Sequence, residues 1–127
     1  DLIDETIVTD KYFGAIGMVG ADKNGIIRFS NSSTINELDT LDCCFIVINC
    51  RSWVRFNSKI YHEFHLYVED YCAMQKTLGK KIYTIRLKDK SYLNHHSYTW
   101  KTQGSCWGNY NYFKTIFSKR WSGLKTT

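Results

Sequence analysis

The stretch Val68-Glu-Asp-Tyr-Cys-Ala-Met-Gln-Lys-Thr-Leu-Gly-Lys-Lys-Ile-Tyr-Thr-Ile-Arg-Leu87 changes its periodicity halfway, and this change decides the fold class. In its first part, apolar side chains recur three or four residues apart, which predicts a helix over 68–78 that stops at Gly79. Its second part, 81–87, has the β-branched and aromatic residues of a strand. A helix that leads directly into a strand is typical of α/β domains.

Upstream of this stretch the sequence predicts a β-hairpin. Residues 14–20 and 26–29 are rich in β-compatible side chains. Between them, Asn24-Gly25 supplies the positive φ angles that a tight hairpin turn requires. Residues 31–40 are polar and are predicted to be a connection without regular structure.

The strongest predicted strand covers 41–49. Its continuous apolar run, Phe45-Ile-Val-Ile48, is typical of a central strand that is buried on both faces. Further along, a polar loop over 88–108 is expected to lead to a final helix at about 109–121. The aromatic residues of that helix recur every three or four positions, so we expect them to pack in the core rather than to stack on bases.

The length of 127 residues has room for one domain, and 43% apolar residues can supply its core. We expect an α/β domain with a mixed β-sheet and flanking helices over 14–121, between a polar leader, 1–13, and a tail, 122–127. No apolar run approaches the roughly 20 residues of a membrane helix. The five cysteines contain no C-x-x-C pair, and we expect small buried apolar residues in a reducing cytosol, with Cys43 and Cys44 in a strand.

The charges are divided unevenly along the chain. Residues 1–50 contain three basic and eight acidic side chains, whereas residues 51–127 contain fourteen basic and four acidic ones. The second part is therefore expected to attract anions such as a nucleotide diphosphate, a nucleic acid or an anionic lipid surface.

Several short motifs occur together in an order that is typical of one enzyme family. They are Ala15-Ile-Gly-Met-Val-Gly20, Leu41-Asp-Cys-Cys-Phe45, Phe64-His-Leu-Tyr-Val-Glu-Asp-Tyr-Cys72, Leu93-Asn-His-His-Ser97 and Lys119-Arg-Trp121. In this order the chain resembles the C-terminal, acceptor-side half of nucleotide-sugar glycosyltransferases of the GT-A fold, particularly the StrF-like group and the wider family 2. The resemblance covers roughly 14–121. It implies transfer of a sugar from a nucleotide-sugar donor to a hydroxyl acceptor in glycan synthesis.

The resemblance also implies roles for individual residues. Inverting sugar transfer needs a carboxylate that takes the proton of the acceptor hydroxyl, and this role falls to Asp70, with Glu69 as the alternative. The leaving diphosphate needs charge neutralisation, commonly by a divalent cation such as Mn²⁺ or Mg²⁺. His95 is the expected metal or diphosphate contact, His96 is expected beside it, and Asp42 is expected to line the acceptor pocket.

Two further points concern these candidates. Asp70 ranks above Glu69 because it is acidic in both possible alignments of the motif, whereas one alignment places a family carboxylate at Val68. Arg51 and Arg55 match no motif, but they follow the predicted central strand and are expected to add positive potential there.

The family binds its nucleotide through an N-terminal βαβ region and a D-x-D motif, and neither precedes Gly14. We therefore expect an acceptor-side half that is inactive alone and that associates with a missing N-terminal half or with a second copy. The expected acceptor is a glycan or a lipid-linked molecule, which implies a cytoplasmic location and contact with the inner face of a membrane.

Three alternatives compete with this interpretation. The residues His62, His65, Glu69 and Cys72 recur at three- and four-residue intervals, so on one continuous helix they would form a zinc site. The aromatic and basic residues near the C-terminus suit single-stranded nucleic acid. A non-catalytic interaction module is the third alternative, because a half-domain would expose apolar surface.

Overall fold

The structure is a computed structural model that describes residues 10–32, 34–62, 65–86 and 106–126, with side chains in the last segment from 109 onward. These segments form a mixed α/β fold of short strands and two helices. The strands are β1 Ala15–Gly17, β2 Val19–Ala21, β3 Ile27–Phe29, β4 Glu37–Leu38, β5 Thr40–Leu41, β6 Ile46–Ile48 and β7 Ile82–Thr84, and the helices are α1 Tyr67–Thr77 and α2 Cys106–Arg120. Neither helix has the length and apolar character needed to cross a membrane.

The strands form two sheets that share two bent segments of chain. One sheet has the order β4-β7-β1-β6 and the other has the order β3-β2-β5. Only Met18 separates β1 from β2, and only Asp39 separates β4 from β5, so each segment leaves one sheet and enters the other. Asp39 forms an ion pair with Lys76 near the end of α1, which fixes the second bend against the helix. Because β1 is parallel to β7 and antiparallel to β6, the first sheet is mixed. The expectation of one mixed sheet is met only in part, since the strands also form a second, antiparallel sheet.

The predicted hairpin is confirmed in β2 and β3. Gly25 has a φ of 77°, and Asp22 holds the turn by accepting hydrogen bonds from the backbone N–H groups of Asn24 and Ile26. On the other side of β2, the pairing with β5 depends on Gly20. A Cβ atom at Gly20 would lie 2.0 Å from the carbonyl oxygen of Thr40, so any larger residue would force the two strands apart.

Helix α1 packs between strands of both sheets and α2. Its bounds match the prediction to within one residue, and Gly79, with a φ of 71°, follows its end. On one side, Val68 and Cys72 pack against apolar residues of the sheets. On the other side, Ala73 packs against α2. The first turn of α1 is therefore enclosed from two directions.

Helix α2 buries its aromatic stripe, as expected. Phe113 and Phe117 are each 1% exposed and pack with Tyr61 and Leu66. The nucleic-acid alternative concerns other rings of this region, of which Tyr112 is 61% exposed and Tyr110 is half-buried, so it stays a prediction. The helix begins at Cys106, so the predicted loop is wrong at its last residues, and 88–105 lie outside the described residues.

Two strand predictions are wrong. The apolar run is not a central strand, because β6 lies at the edge of its sheet and Ile48 is 37% exposed. A continuous apolar run does not by itself specify how many strands pair with it or how deeply its side chains are buried, and none of the residues 45–48 is buried here. The segment 31–40 is not an irregular connection, since it contains β4 and the start of β5. Its polar sequence hides this role because the pairing is made by the backbone.

The expectation for the cysteines is confirmed only in part. Cys72 is buried, whereas Cys44 and Cys50 are exposed and Cys43 is half-buried. Cys43 and Cys44 occupy a turn before β6 rather than a strand. The turn lies at the surface, which explains the exposure of Cys44.

Candidate functional site

Asp70 lies in the first turn of α1 with its side chain fully buried. The indole N–H of Trp121 donates a hydrogen bond to Oδ1 of Asp70, with a distance of 2.5 Å between Nε1 and Oδ1. Nε of Arg120 lies 3.1 Å from the same oxygen. The other oxygen, Oδ2, has no hydrogen-bond partner among the described residues. The carboxylate is thus anchored at one oxygen and unpaired at the other.

The hydroxyl of Tyr61 is a second buried polar group without a hydrogen-bond partner in the described part of the chain. Tyr61 is 3% exposed. Burial is the main cause that raises its pKa, and the negative charge of Asp70 and the approach of that carboxylate to the hydroxyl raise the pKa further. The two groups are therefore close in space, although no hydrogen bond of normal geometry joins them. At neutral pH this hydroxyl remains protonated and is available as a donor beside Asp70.

Burial also changes the acidity of Asp70. Removal of the carboxylate from water raises its pKa above the ordinary value of 3.8, because the charged form loses solvation. The hydrogen bond from Trp121, the charge of Arg120 and the approach of the Tyr61 hydroxyl oppose this effect without cancelling it. Asp70 is therefore a stronger base than an exposed aspartate.

The ends of two helices bring these groups together. Leu66 takes a left-handed conformation, with a φ of 61°, immediately before α1 begins. Trp121 follows α2, and its backbone N–H still donates a hydrogen bond to the carbonyl oxygen of Phe117, at 2.8 Å. Its ring packs against the aromatic cluster between the helices, which contains Tyr61, Phe113 and Phe117. The Arg120 guanidinium lies 5.1 Å from the centroid of the Trp121 ring.

A shallow cleft of about 340 Å³ lies beside this group. Its lining includes Lys76, Arg120, Trp121 and Ser122, but not Asp70. Arg120 and Trp121 therefore separate the Asp70 carboxylate from the cleft.

Glu69 has different neighbours from Asp70, although the two residues are adjacent. Glu69 is 6% exposed. Its charge and that of Asp42 both raise the pKa of Cys43, to about 12, with burial as the largest cause. The same two carboxylates raise the pKa of Tyr67, again after burial. Glu69 thus acts on the side chains around Asp42, and its charge also reaches Tyr61 beside Asp70.

Asp42 has a structural role in the turn before β6. Its Oδ1 accepts hydrogen bonds from the backbone N–H of Cys44 at 2.9 Å and from the Cys44 thiol at 2.7 Å. Burial and the neighbouring Asp42 raise the pKa of the Cys44 thiol to about 12. Both thiols of this turn therefore stay protonated at neutral pH and are poor nucleophiles.

The structure places the remaining predicted residues as follows. Arg51 and Arg55 are exposed, and Nη1 of Arg55 donates to the backbone carbonyls of Ser52 and Val54. His95 and His96 lie outside the described residues. Sequence reasoning missed Tyr61, for which no signal exists, as well as Arg120 and Trp121, which form the end of the closing motif.

The proposed zinc residues do not share one helix. His62 and His65 precede the start of α1 at Tyr67, and the left-handed Leu66 interrupts the chain between them and the helix. His62 is exposed whereas Cys72 is fully buried. Within the described segments, no group of three or more potential ligands is arranged to hold a metal ion.

Comparisons with models of known protein families, with curated protein sequences and with solved structures found no match for this chain. The chemistry of the site is therefore inferred from its own geometry. That geometry is a buried carboxylate with one anchored oxygen, one unpaired oxygen and an unpaired phenol nearby.

Proposed function

We propose that this chain is the acceptor side of an enzyme that transfers a sugar from a nucleotide donor to a hydroxyl group, with Asp70 as the general base. The observation that carries the proposal is the buried Asp70 carboxylate, which is anchored through Oδ1 and unpaired at Oδ2. The order of the sequence motifs, which resembles that of GT-A glycosyltransferases, supports the same assignment.

The unpaired oxygen suits the proton transfer that the reaction requires. The oxygen of the acceptor hydroxyl forms a bond to the anomeric carbon, while the bond from that carbon to the diphosphate breaks and the nucleoside diphosphate leaves. The hydroxyl proton passes to Oδ2 of Asp70. A carboxylate whose pKa is raised by burial accepts this proton more readily than an exposed one.

Tyr61 can complete the binding of the acceptor. A hydroxyl group that donates to Oδ2 of Asp70 also has lone pairs that can accept a hydrogen bond from the Tyr61 phenol. Such a ligand would satisfy both unpaired groups at once. Access requires that a side chain between the carboxylate and the cleft moves.

Other parts of the proposal rest on the resemblance. Asp42 would line the acceptor pocket, Glu69 is the alternative base, and His95 with His96 would approach the diphosphate or a bound Mn²⁺ or Mg²⁺. Arg51 and Arg55 are exposed and would add positive potential. The acceptor would be a glycan or a lipid-linked molecule at the inner face of a membrane.

A substitution at Asp70 tests the proposal. In the full-length gene product, we expect Asp70→Asn to lower acceptor-dependent release of nucleoside diphosphate by about 100-fold or more, because the base is lost. Glu37→Gln is the matched control, since Glu37 is an exposed carboxylate paired with Lys81. The proposal fails if no nucleotide sugar supports transfer, or if Asp70→Asn leaves turnover unchanged. A loss with Glu69→Gln alone would move the role to Glu69.

A second candidate, a non-catalytic interaction module, is favoured by the apolar side chains of the hairpin. Ile26, Ile27 and Phe29 are 49%, 40% and 64% exposed. Among the described strands, β3 pairs with β2 alone, so its other edge is open to a second copy of the chain. Sedimentation velocity tests this candidate, and the transfer assay with Asp70→Asn separates it from a half-enzyme that also self-associates. A dimer that Phe29→Ser converts to a monomer would favour this module, whereas a wild-type monomer at high concentration would exclude self-association.

A further inference from the structure

Two donors from the end of α2 converge on a single oxygen of Asp70. The Trp121 indole N–H and the Arg120 guanidinium both contact Oδ1, while Oδ2 receives no hydrogen bond from the described residues. A carboxylate could accept from these donors through both oxygens, one donor to each. The observed arrangement instead leaves the two oxygens chemically different.

We propose that Trp121 is a positioning residue for Asp70: its ring N–H fixes Oδ1, so that Oδ2 remains the oxygen that receives the proton of the acceptor. This inference rests on the proposed function. Arg120 also helps to hold Oδ1, because its positive charge lies beside that oxygen. Neither residue contacts the reacting atoms, and both act through the carboxylate.

An indole is well suited to this task. Its N–H is a donor only and does not titrate, so it cannot take the proton in place of Asp70. The ring is rigid and is packed against the aromatic cluster between the helices, which fixes the direction of the N–H. The indole N–H donates directly to Oδ1, with no room for a water molecule between the two groups.

The inference also explains the closing motif Lys119-Arg-Trp121, whose role the sequence leaves open. Arg120 is the last residue of α2 and Trp121 follows it, whereas Asp70 lies in the first turn of α1. The motif thus completes the Asp70 site from a position 51 residues away along the chain. Lys119, by contrast, is exposed on the outer face of α2.

The hydrogen bond can be tested first in the unmodified chain by NMR. We expect the indole Hε1 resonance of Trp121 to shift with pH and to report the same pKa as the ¹³C carboxyl resonance of Asp70. The Hε1 resonance of Trp53 is the internal control, because Trp53 is 89% exposed. A Trp121 resonance that ignores the ionisation of Asp70 would overturn the inference.

Variants then separate positioning from packing. Trp121→Phe keeps a ring but removes the N–H, so we expect a higher Asp70 pKa than in the wild type, while Trp53→Phe leaves it unchanged. If Trp121→Phe does not fold, replacement of Trp121 by benzothienylalanine preserves the shape and removes only the donor. An unchanged Asp70 pKa in the folded variant would contradict the inference.

Kinetics of the full-length gene product give the last measurement. We expect Trp121→Phe to lower kcat roughly tenfold to hundredfold with an unchanged KM, as for a misplaced catalytic group. The acidic limb of its pH profile should move to higher pH together with the Asp70 pKa. If Asp70→Asn abolishes transfer but Trp121→Phe does not lower kcat, only this inference fails. If Asp70→Asn has no effect, the proposed function fails as well.

Discussion

At the scale of single residues, two buried groups without partners define the candidate site. Most buried polar atoms in proteins have a hydrogen-bond partner, and an unsatisfied one lowers stability. Here Oδ2 of Asp70 and the hydroxyl of Tyr61 lack one in the described part of the chain, although they lie close together. A site that binds a hydroxyl-bearing ligand would explain why both are retained.

The conformation of Leu66 gives a prediction at the same scale. A side chain at a φ of 61° is strained by about 1–2 kcal/mol, a cost that glycine avoids. Leu66→Gly and Leu66→Ala both lose the buried side chain, but only alanine keeps the strain. We therefore expect the glycine variant to have a free energy of unfolding about 1 kcal/mol higher than that of the alanine variant.

Urea denaturation followed by circular dichroism measures this difference. Both variants should be less stable than the wild type, since Leu66 is 2% exposed and packs between the helices. Equal stabilities of the two variants would show that the left-handed conformation at this position carries no strain.

At the scale of elements, helical periodicity predicted α1 and most of α2, because a helix places its apolar residues on one face by local geometry alone. Strand positions were less predictable. The apolar run that became the edge strand β6 and the polar segment that holds β4 show why. Pairing partners come from distant parts of the chain, and no local pattern records them. Similarly, Asp70 was predicted from a motif, whereas Tyr61 became recognisable only from its contacts.

A comparison of two glycines tests how the elements fit together. In Gly20→Ala the new Cβ would lie 2.0 Å from the Thr40 carbonyl oxygen, so β2 and β5 must separate. We expect a loss of about 3 kcal/mol of stability, the upper end of the usual cost of overpacking. In Gly79→Ala the new Cβ would meet no other part of the protein within 4 Å, so only the φ of 71° is unfavourable. The loss of stability should therefore be about 1 kcal/mol.

Thermal or urea unfolding of the two glycine variants provides the measurement. The order of the two losses matters more than their size. If Gly79→Ala were the more destabilised variant, the close approach of β2 and β5 would be wrong.

At the scale of the whole molecule, the fold places a charge where water cannot reach it. The sheets and α2 enclose the first turn of α1, and contacts from Trp121 and Arg120 only partly compensate Asp70 for lost solvation. A protein that needed only stability would gain by replacing this carboxylate with a neutral group. Under the proposed function, the carboxylate is retained for its chemical role.

The pH dependence of stability follows from the unfavourable burial of the charged Asp70 carboxylate. Unfolded Asp70 ionises near pH 3.8, whereas the folded group has a raised pKa and holds its proton to higher pH. Between these two values the folded state binds more protons, so the stability of the wild type falls as the pH rises. The neutral side chain of Asp70→Asn does not lose stability in this way as the pH rises. Its amide can accept a hydrogen bond from Trp121 and donate one to the Tyr61 hydroxyl.

We therefore expect Asp70→Asn to be more stable than the wild type at pH 7, by a margin that grows as the pH rises from about 4. Melting temperatures from pH 3 to pH 8 measure this margin, with Glu37→Gln as the control, since an exposed ion pair contributes only about 0–1 kcal/mol. A variant that is more stable but inactive would identify Asp70 as a charge kept for chemistry at the expense of stability. A less stable Asp70→Asn at pH 7 would instead mean that the contacts with Trp121 and Arg120 outweigh the cost of burial, and that the carboxylate has a structural role.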